Sequence, residues 1–175
     1  MMTFQQSLEY GQAGESVISQ WLQDRGCKVF PAYEKLIDTG KGPQLFTAHG
    51  NFVLPDLLVF GEGQESIFWA EAKHKTRFTW HRISQTWQTG IDLRHYLEYC
   101  EVQLRTGLPV WLMFLHAQSK PSQSDLAHGA PKTCPSGLFG NALSELMLAE
   151  SHRSQRHGVS GMVYWPESAL MKLAA

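Results

Sequence analysis

Residues 52–60, FVLPDLLVF, and residues 66–75, SIFWAEAKHK, decide how this chain is read. Both are apolar runs of strand length, and Gly61-Glu62-Gly63-Gln64 between them has the chemistry of a turn. Each run nevertheless holds a carboxylate, Asp56 in the first and Glu71 in the second. Charged side chains are seldom buried unless they are paired or bind a metal. A hairpin centred between Gly63 and Gln64 sets Asp56 opposite Glu71. Directly opposed side chains share a face, with Cβ atoms ~4.5–5.5 Å apart, so two like charges there repel. A divalent cation is the commonest remedy. Lys73 lies two residues beyond Glu71 and, by the strand period of two, points to the same face. A slip of one residue would turn the set to the opposite face, so the register carries the reading.

A hard cation takes oxygen ligands, and two carboxylates leave most of a Mg²⁺ shell to water and substrate phosphate. With Lys73 beside the phosphate, this set suits phosphodiester hydrolysis, in which metal and lysine stabilise developing charge. Glu15 is the third acid. At helical spacing from Gly11, Ile18 and Leu22, it flanks the buried face of the first predicted helix and could reach a site at the sheet end.

The rest of the chain frames these two strands. With 175 residues and 19.8 kDa, it has enough length for one sizeable core and too little for two. Hydrophobic residues at 43% and a charged fraction of 18% exclude wholesale disorder. A net charge of -1 argues neither for nor against nucleic acid. The absence of a long apolar run and of a signal-like start predicts a cytoplasmic protein without a membrane partner. Cys27, Cys100 and Cys134, an odd number without a CxxC pair, argue against a disulfide framework or a thiolate zinc site. The pattern predicts a helix over 4–25 closed by Gly26, a short strand over 27–33, a loop with a brief strand over 37–50, and the two strands above. A helix over 93–106 follows, with Leu93, Tyr96, Leu97, Cys100 and Leu104 on its apolar stripe and Gly107 at its end. PVWLMFLH, 109–116, reads as a strand covered on both faces. Residues 118–137 read as a loop or lid, 138–149 as a helix, 161–165 as a strand and 166–173 as a helix begun by Pro166.

Pro55-Asp56, fourteen residues, then Glu71-Ala72-Lys73, resembles the signature of the PD-(D/E)XK nuclease superfamily, and Glu15 matches the acid that superfamily often carries on its first helix. The resemblance implies an α/β, restriction-endonuclease-like core of order α-β-β-β-α-β, with a central mixed sheet flanked by helices. Residues 1–175 would form one nuclease domain, with the core over about 4–117 and a loop-rich extension over 118–175. It further implies Mg²⁺ or Mn²⁺ held by Asp56, Glu71 and the Ala72 carbonyl, with Glu15 joining through water, and cleavage of DNA. Among the branches, the chain looks most like Holliday junction resolvases and phage-encoded relatives, hence a structure-selective endonuclease of recombination or repair. Junction resolution needs two active sites, which implies a homodimer. The rival is a nuclease-fold DNA-binding or assembly module without activity.

Two further sets are candidates. Gln103 follows Tyr96 and Tyr99 on the second helix, where the superfamily often places a polar residue near the metal, so it is a candidate catalytic residue. Its plain alternative is a solvated flank beside core tyrosines. Residues 73–82, KHKTRFTWHR, contain no acid. Lys75, Arg77 and Arg82 with Trp80 suit a phosphate backbone and unpaired bases, and Tyr96 joins them as a candidate DNA contact. An ordinary solvated strand end with a packed tryptophan fits the strip equally well. Trp87 is a further position to test for DNA, Lys41 a candidate phosphate contact, and no histidine pair has the spacing of a zinc site.

Overall fold

The computed structural model describes residues 4–32, 43–48, 50–61 and 66–175. Lys41 and most of the turn between the two decisive strands lie outside them. In chain order the elements are α1 (Phe4–Gln23), β1 (Lys28–Pro31), β2 (Gln44–Thr47), β3 (Gly50–Val53), β4 (Leu57–Phe60), β5 (Ile67–Lys75), β6 (Thr79–His81) and β7 (Thr86–Asp92). There follow α2 (Leu93–Thr106), β8 (Val110–His116), α3 (Gln123–Ala127), β9 (Gly137–Ala142), α4 (Leu143–Leu148), β10 (His152–Ser154), β11 (Met162–Pro166) and β12 (Met171–Ala174).

Six strands form the main sheet in the order β1-β4-β5-β8-β9-β12. Only β5 and β8 run parallel, and α2 lies in the connection between them, as a parallel pair requires. The sheet is therefore mixed, with its centre at β5 and β8. Alternation along these strands divides the core. Ala70, Ala72 and Met113 face α1 and pack with Ile18, Leu22, Leu57 and Val59. Leu112 and Phe114 face the other way, into a larger cluster with Tyr99 and Val102 of α2 and Trp165 of β11. That second layer includes a four-stranded sheet, β10-β11-β7-β6. Trp165 is fully buried there and donates its indole N–H to the Leu146 carbonyl at 2.7 Å, tying β11 to α4.

α1 seats closely because Gly14 faces β5, where a Cβ would come within 2.5 Å of the His74 Cβ. Tyr10 stacks on the His74 ring at 3.6 Å, and His74 Nδ1 donates to the Tyr10 carbonyl at 2.7 Å. α2 has the predicted bounds. Asp92 caps its start by accepting from the Arg94 N–H, and Gly107 at φ 68 closes it.

Several expectations are corrected. The run 51–60 is two strands, since β3 pairs with β2 and the chain breaks at Leu54-Pro55-Asp56 before β4. The buried stripe of α2 is Leu93, Tyr96, Tyr99 and Val102, while Leu97 and Leu104 are exposed. Residues 138–149 begin as β9, and only 143–148 are helical. Residues 166–173 hold a single 3₁₀ turn and then enter β12, because pairing with β9 outweighs the helix-start signal of Pro166. The stretch 118–175, expected to be loop-rich, supplies β9 and β12 to the main sheet and β10 and β11 to the second. Among the described residues no helix is long and apolar enough to cross a membrane.

Candidate active site

β4 and β5 pair antiparallel with Leu57 opposite Ala70 and Leu58 opposite Trp69. Continued one step, this register brings Asp56, the residue before β4, level with Glu71. Asp56 turns its carboxylate to the β5 backbone, where Oδ2 accepts from the Ala72 N–H at 3.0 Å. The break at Pro55 makes this possible, because β4 starts too late to pair Ala72 through its own backbone. In a strand the N–H and C=O of one residue point to the same side, so the Ala72 carbonyl also faces the Asp56 side.

Glu71 lies on the α2 face of the sheet and is 2% exposed. One carboxylate oxygen pairs with Lys73 Nζ. The other, Oε2, is buried with no hydrogen-bond partner among the described residues. Lys73 keeps 27% of its side-chain exposure, which leaves it open on one side. Burial works to lower its pKa, but the negative charges of Glu71, Asp56 and Glu15 outweigh that, and the ammonium is held above the ordinary lysine value. Three acids and one lysine are therefore in electrostatic contact at the end of β5.

α2 closes the set from above. The Tyr99 phenol is pushed well above its usual value by burial and then by the negative charges of Glu71 and Asp56. His95, one turn earlier, is lowered by burial and by the positive charge of Lys73, and its ring lies 6.1 Å from that of Tyr99. Sequence reasoning left Tyr99 out as a core residue beside Gln103. The i, i+4 pair of His95 and Tyr99 was the available signal, but a buried tyrosine on an apolar stripe reads as packing until its neighbours are known.

The other candidates are distributed as follows. Glu15 is half-buried on α1, and its charge acts on Lys73, yet it does not form an ion-binding trio with Asp56 and Glu71; among the described residues no three acidic, histidine or cysteine groups do. Gln103 accepts from the Val110 N–H at 3.0 Å and so fastens the end of α2 to β8. Tyr96 is 3% exposed and packs on Trp165 beneath Arg153, which withdraws it from any DNA surface. Trp87 is also buried, at 6%. Lys75 follows Lys73 on the same face. Burial and the neighbouring ammonium lower it to about 8, against the attraction of Glu71. Arg77 and Arg82 are exposed and Trp80 is half-buried.

The residues present fit a divalent cation. Two carboxylates with one ammonium leave a negative balance, Glu71 Oε2 is an unused buried acceptor, and all the donors are oxygen, which selects a hard ion.

The mixed sheet flanked by helices, with Asp56 just before β4 and Glu71-Ala72-Lys73 on the neighbouring β5, has a restriction-endonuclease-like fold. Among solved structures, the chain is similar to Hjc, a Holliday junction resolvase from Archaeoglobus fulgidus, with a TM-score of 0.53 and 7% identity over 93% of this chain and 91% of that one. It is also similar to D212, a nuclease from a fusselovirus, with a TM-score of 0.45 and 14% identity over 99% of this chain and 89% of that one. No protein-family model and no curated protein matches the sequence.

Proposed function

We propose that the chain is a divalent-metal-dependent DNA nuclease, an endonuclease selective for DNA structure in the manner of a Holliday junction resolvase. The observation that carries this reading is the pair of neighbouring carboxylates, half-buried Asp56 anchored on the Ala72 N–H and buried Glu71 anchored on Lys73, with one Glu71 oxygen left over. A protein that does no chemistry has no need to hold three charges at the centre of its sheet. The likeness to Hjc in fold supports the same reading.

Asp56, Glu71 and the Ala72 carbonyl would hold Mg²⁺ or Mn²⁺, with Glu15 adding negative charge from α1. A bound ion of this kind supplies Lewis acidity to a phosphoryl oxygen and makes water a better nucleophile at neutral pH. Lys73 does the chain's own part. Fixed by Glu71 and open to solvent on one side, it donates to the attacking water or to a phosphate oxygen and balances the charge that develops there. Its raised pKa keeps it an ammonium at neutral pH, so it orients and stabilises instead of abstracting a proton. Tyr99 and His95 roof the carboxylates and keep bulk water from them. Lys75, Arg77 and Arg82 draw the DNA backbone across the sheet end. Two copies would be needed to resolve a junction, which makes a homodimer part of the proposal.

The test is cleavage of labelled single-stranded, duplex, flap and four-way-junction DNAs in Mg²⁺, Mn²⁺ or EDTA. Wild type should cut with metal only, most rapidly at branched DNA, and Glu71→Ala and Lys73→Ala should each abolish cutting. Binding of every DNA with no cutting in any metal would overturn the catalytic assignment in favour of a binding module.

A further inference from the structure

Between β6 and α3 the surface opens into a cleft of about 280 Å³ whose walls include Trp80, Arg82, Ser124 and His128. The indole is fixed before anything binds. It meets Trp87 edge-on at 5.1 Å, and its N–H donates to the His128 carbonyl at 3.0 Å. The turn after β6 is latched to the same carbonyl, because Gln85 donates to the oxygens of Arg82 at 2.6 Å and His128 at 3.3 Å. Gln85 does so at φ 51, a left-handed conformation that a non-glycine residue adopts at a cost. His128 Nδ1 donates to the Ser124 carbonyl at 2.7 Å, which leaves Nε2 of the neutral ring as an acceptor. Asp125 is already engaged, accepting from the N–H and hydroxyl of Ser122.

We propose that this cleft receives one unpaired base of the bound DNA, stacked on Trp80 with Arg82 against its phosphate. The inference rests on the nuclease reading and names the DNA feature that reading leaves open. A pinned indole is a stacking platform that loses little freedom on binding, and every base presents a ring face to it. Ser124 and His128 supply hydrogen-bonding groups of both senses for the base edge. At about 280 Å³ and open to solvent on one side, the cleft has room for a base stacked on the indole. The cleft also lies within reach of the carboxylates. Thr79, on its rim, is eight residues beyond Glu71, so a fully extended chain would separate them by at most about 29 Å. That is roughly eight nucleotide steps of a duplex strand. Arg77 bridges the interval, since its positive charge acts on Asp125 at the cleft.

The experiment compares the full chain's affinity for a continuous duplex and for the same duplex with a single-nucleotide 2-aminopurine bulge, in EDTA so that nothing is cut. Wild type should prefer the bulge by about 5- to 150-fold, the range that stacking of one base gives, and should quench the 2-aminopurine emission. Ser124→Leu, which fills the cleft and removes no packing, should bring the ratio close to one and restore emission. Trp80→Phe should keep part of the preference, and Trp80→Ala should lose it. A ratio near one for wild type, or a preference that survives Ser124→Leu, overturns the proposal. If the continuous duplex is bound and later cut with metal while the ratio is one, the cleft assignment fails and the nuclease reading stands. If neither DNA binds, both fail.

Discussion

Glu71 is a carboxylate at 2% exposure whose only ion-pair partner among the described residues is Lys73. Removing the lysine strands a buried charge, whereas removing both partners strands nothing. Lys73→Met should therefore destabilise the fold by about 2 kcal/mol, less than for a fully buried pair because Lys73 keeps 27% exposure. Glu71→Gln combined with Lys73→Met should recover most of that loss, as a double-mutant cycle in urea would measure. Because the Lys73 value is raised, its stabilising contribution is complete below the unfolded lysine pKa and disappears only as pH rises past the folded one. Mn²⁺ at a hundred times its Kd should add about 2.7 kcal/mol to wild type and nothing to Glu71→Gln, read as a shift in Tm. His116 has the opposite pH sign. It is 2% exposed and stacked on Phe78 at 3.7 Å, and burial together with the Lys75 charge depresses it to about 3. A depressed histidine contributes stability that is present above its unfolded value near 6.5 and is lost as pH falls towards 3. Stability should thus drop by up to about 1.4 kcal/mol per pH unit below 6.5, and His116→Phe should flatten that slope in urea titrations between pH 6.5 and 4.

At the scale of the element, the contact between α1 and β5 sets how near Glu15 comes to Lys73. Gly14→Ala would place a Cβ 2.5 Å from the Cβ of His74, an atom next to the backbone that has nowhere to move. The substitution should cost roughly 1–3 kcal/mol and lower cleavage together with stability, measured by thermal melting beside an activity assay. The core elements of this site were legible because each obeys a local rule. Asp92 and Gly107 mark the ends of α2, and a hairpin centred between Gly63 and Gln64 gives the β4–β5 register that the structure has. The second sheet was legible only at β11, expected as a strand over 161–165. Its strands β6 and β10 are three residues each, too short for a period, and β7 finds β11 across more than seventy positions of sequence. The tail failed for a related reason. Leu138–Ala149 and Pro166–Leu173 carry helix signals, but β9 and β12 are strands because the sheet edge beyond β8 offers them partners. Tyr99 was missed because its role depends on charges brought from β4 and β5, and no pattern along α2 records them.

Across the whole molecule the net charge is -1, so attraction to DNA cannot come from a general positive field. On the proposed nuclease reading it comes from the strip formed by Lys75 at the end of β5 with Arg77 and Arg82 beyond it. Three phosphate contacts give a slope of log K against log salt of about -2.7, and Arg77→Ala should reduce its magnitude by about 0.9. Binding titrated over a range of salt would show whether the strip is used. The order of the main sheet has a consequence of another kind. Among the described residues it leaves β1 and β12 as its open margins, each four residues long. A free margin is a template on which a second chain can lay a strand and begin a fibril. Here Lys28 and Lys172 put a cation on each, and Pro31 withholds an N–H from β1. The short, charged margins make a poor seed for polymerisation, so a concentrated stock should resist clouding even though Phe30, on β1, is 60% exposed.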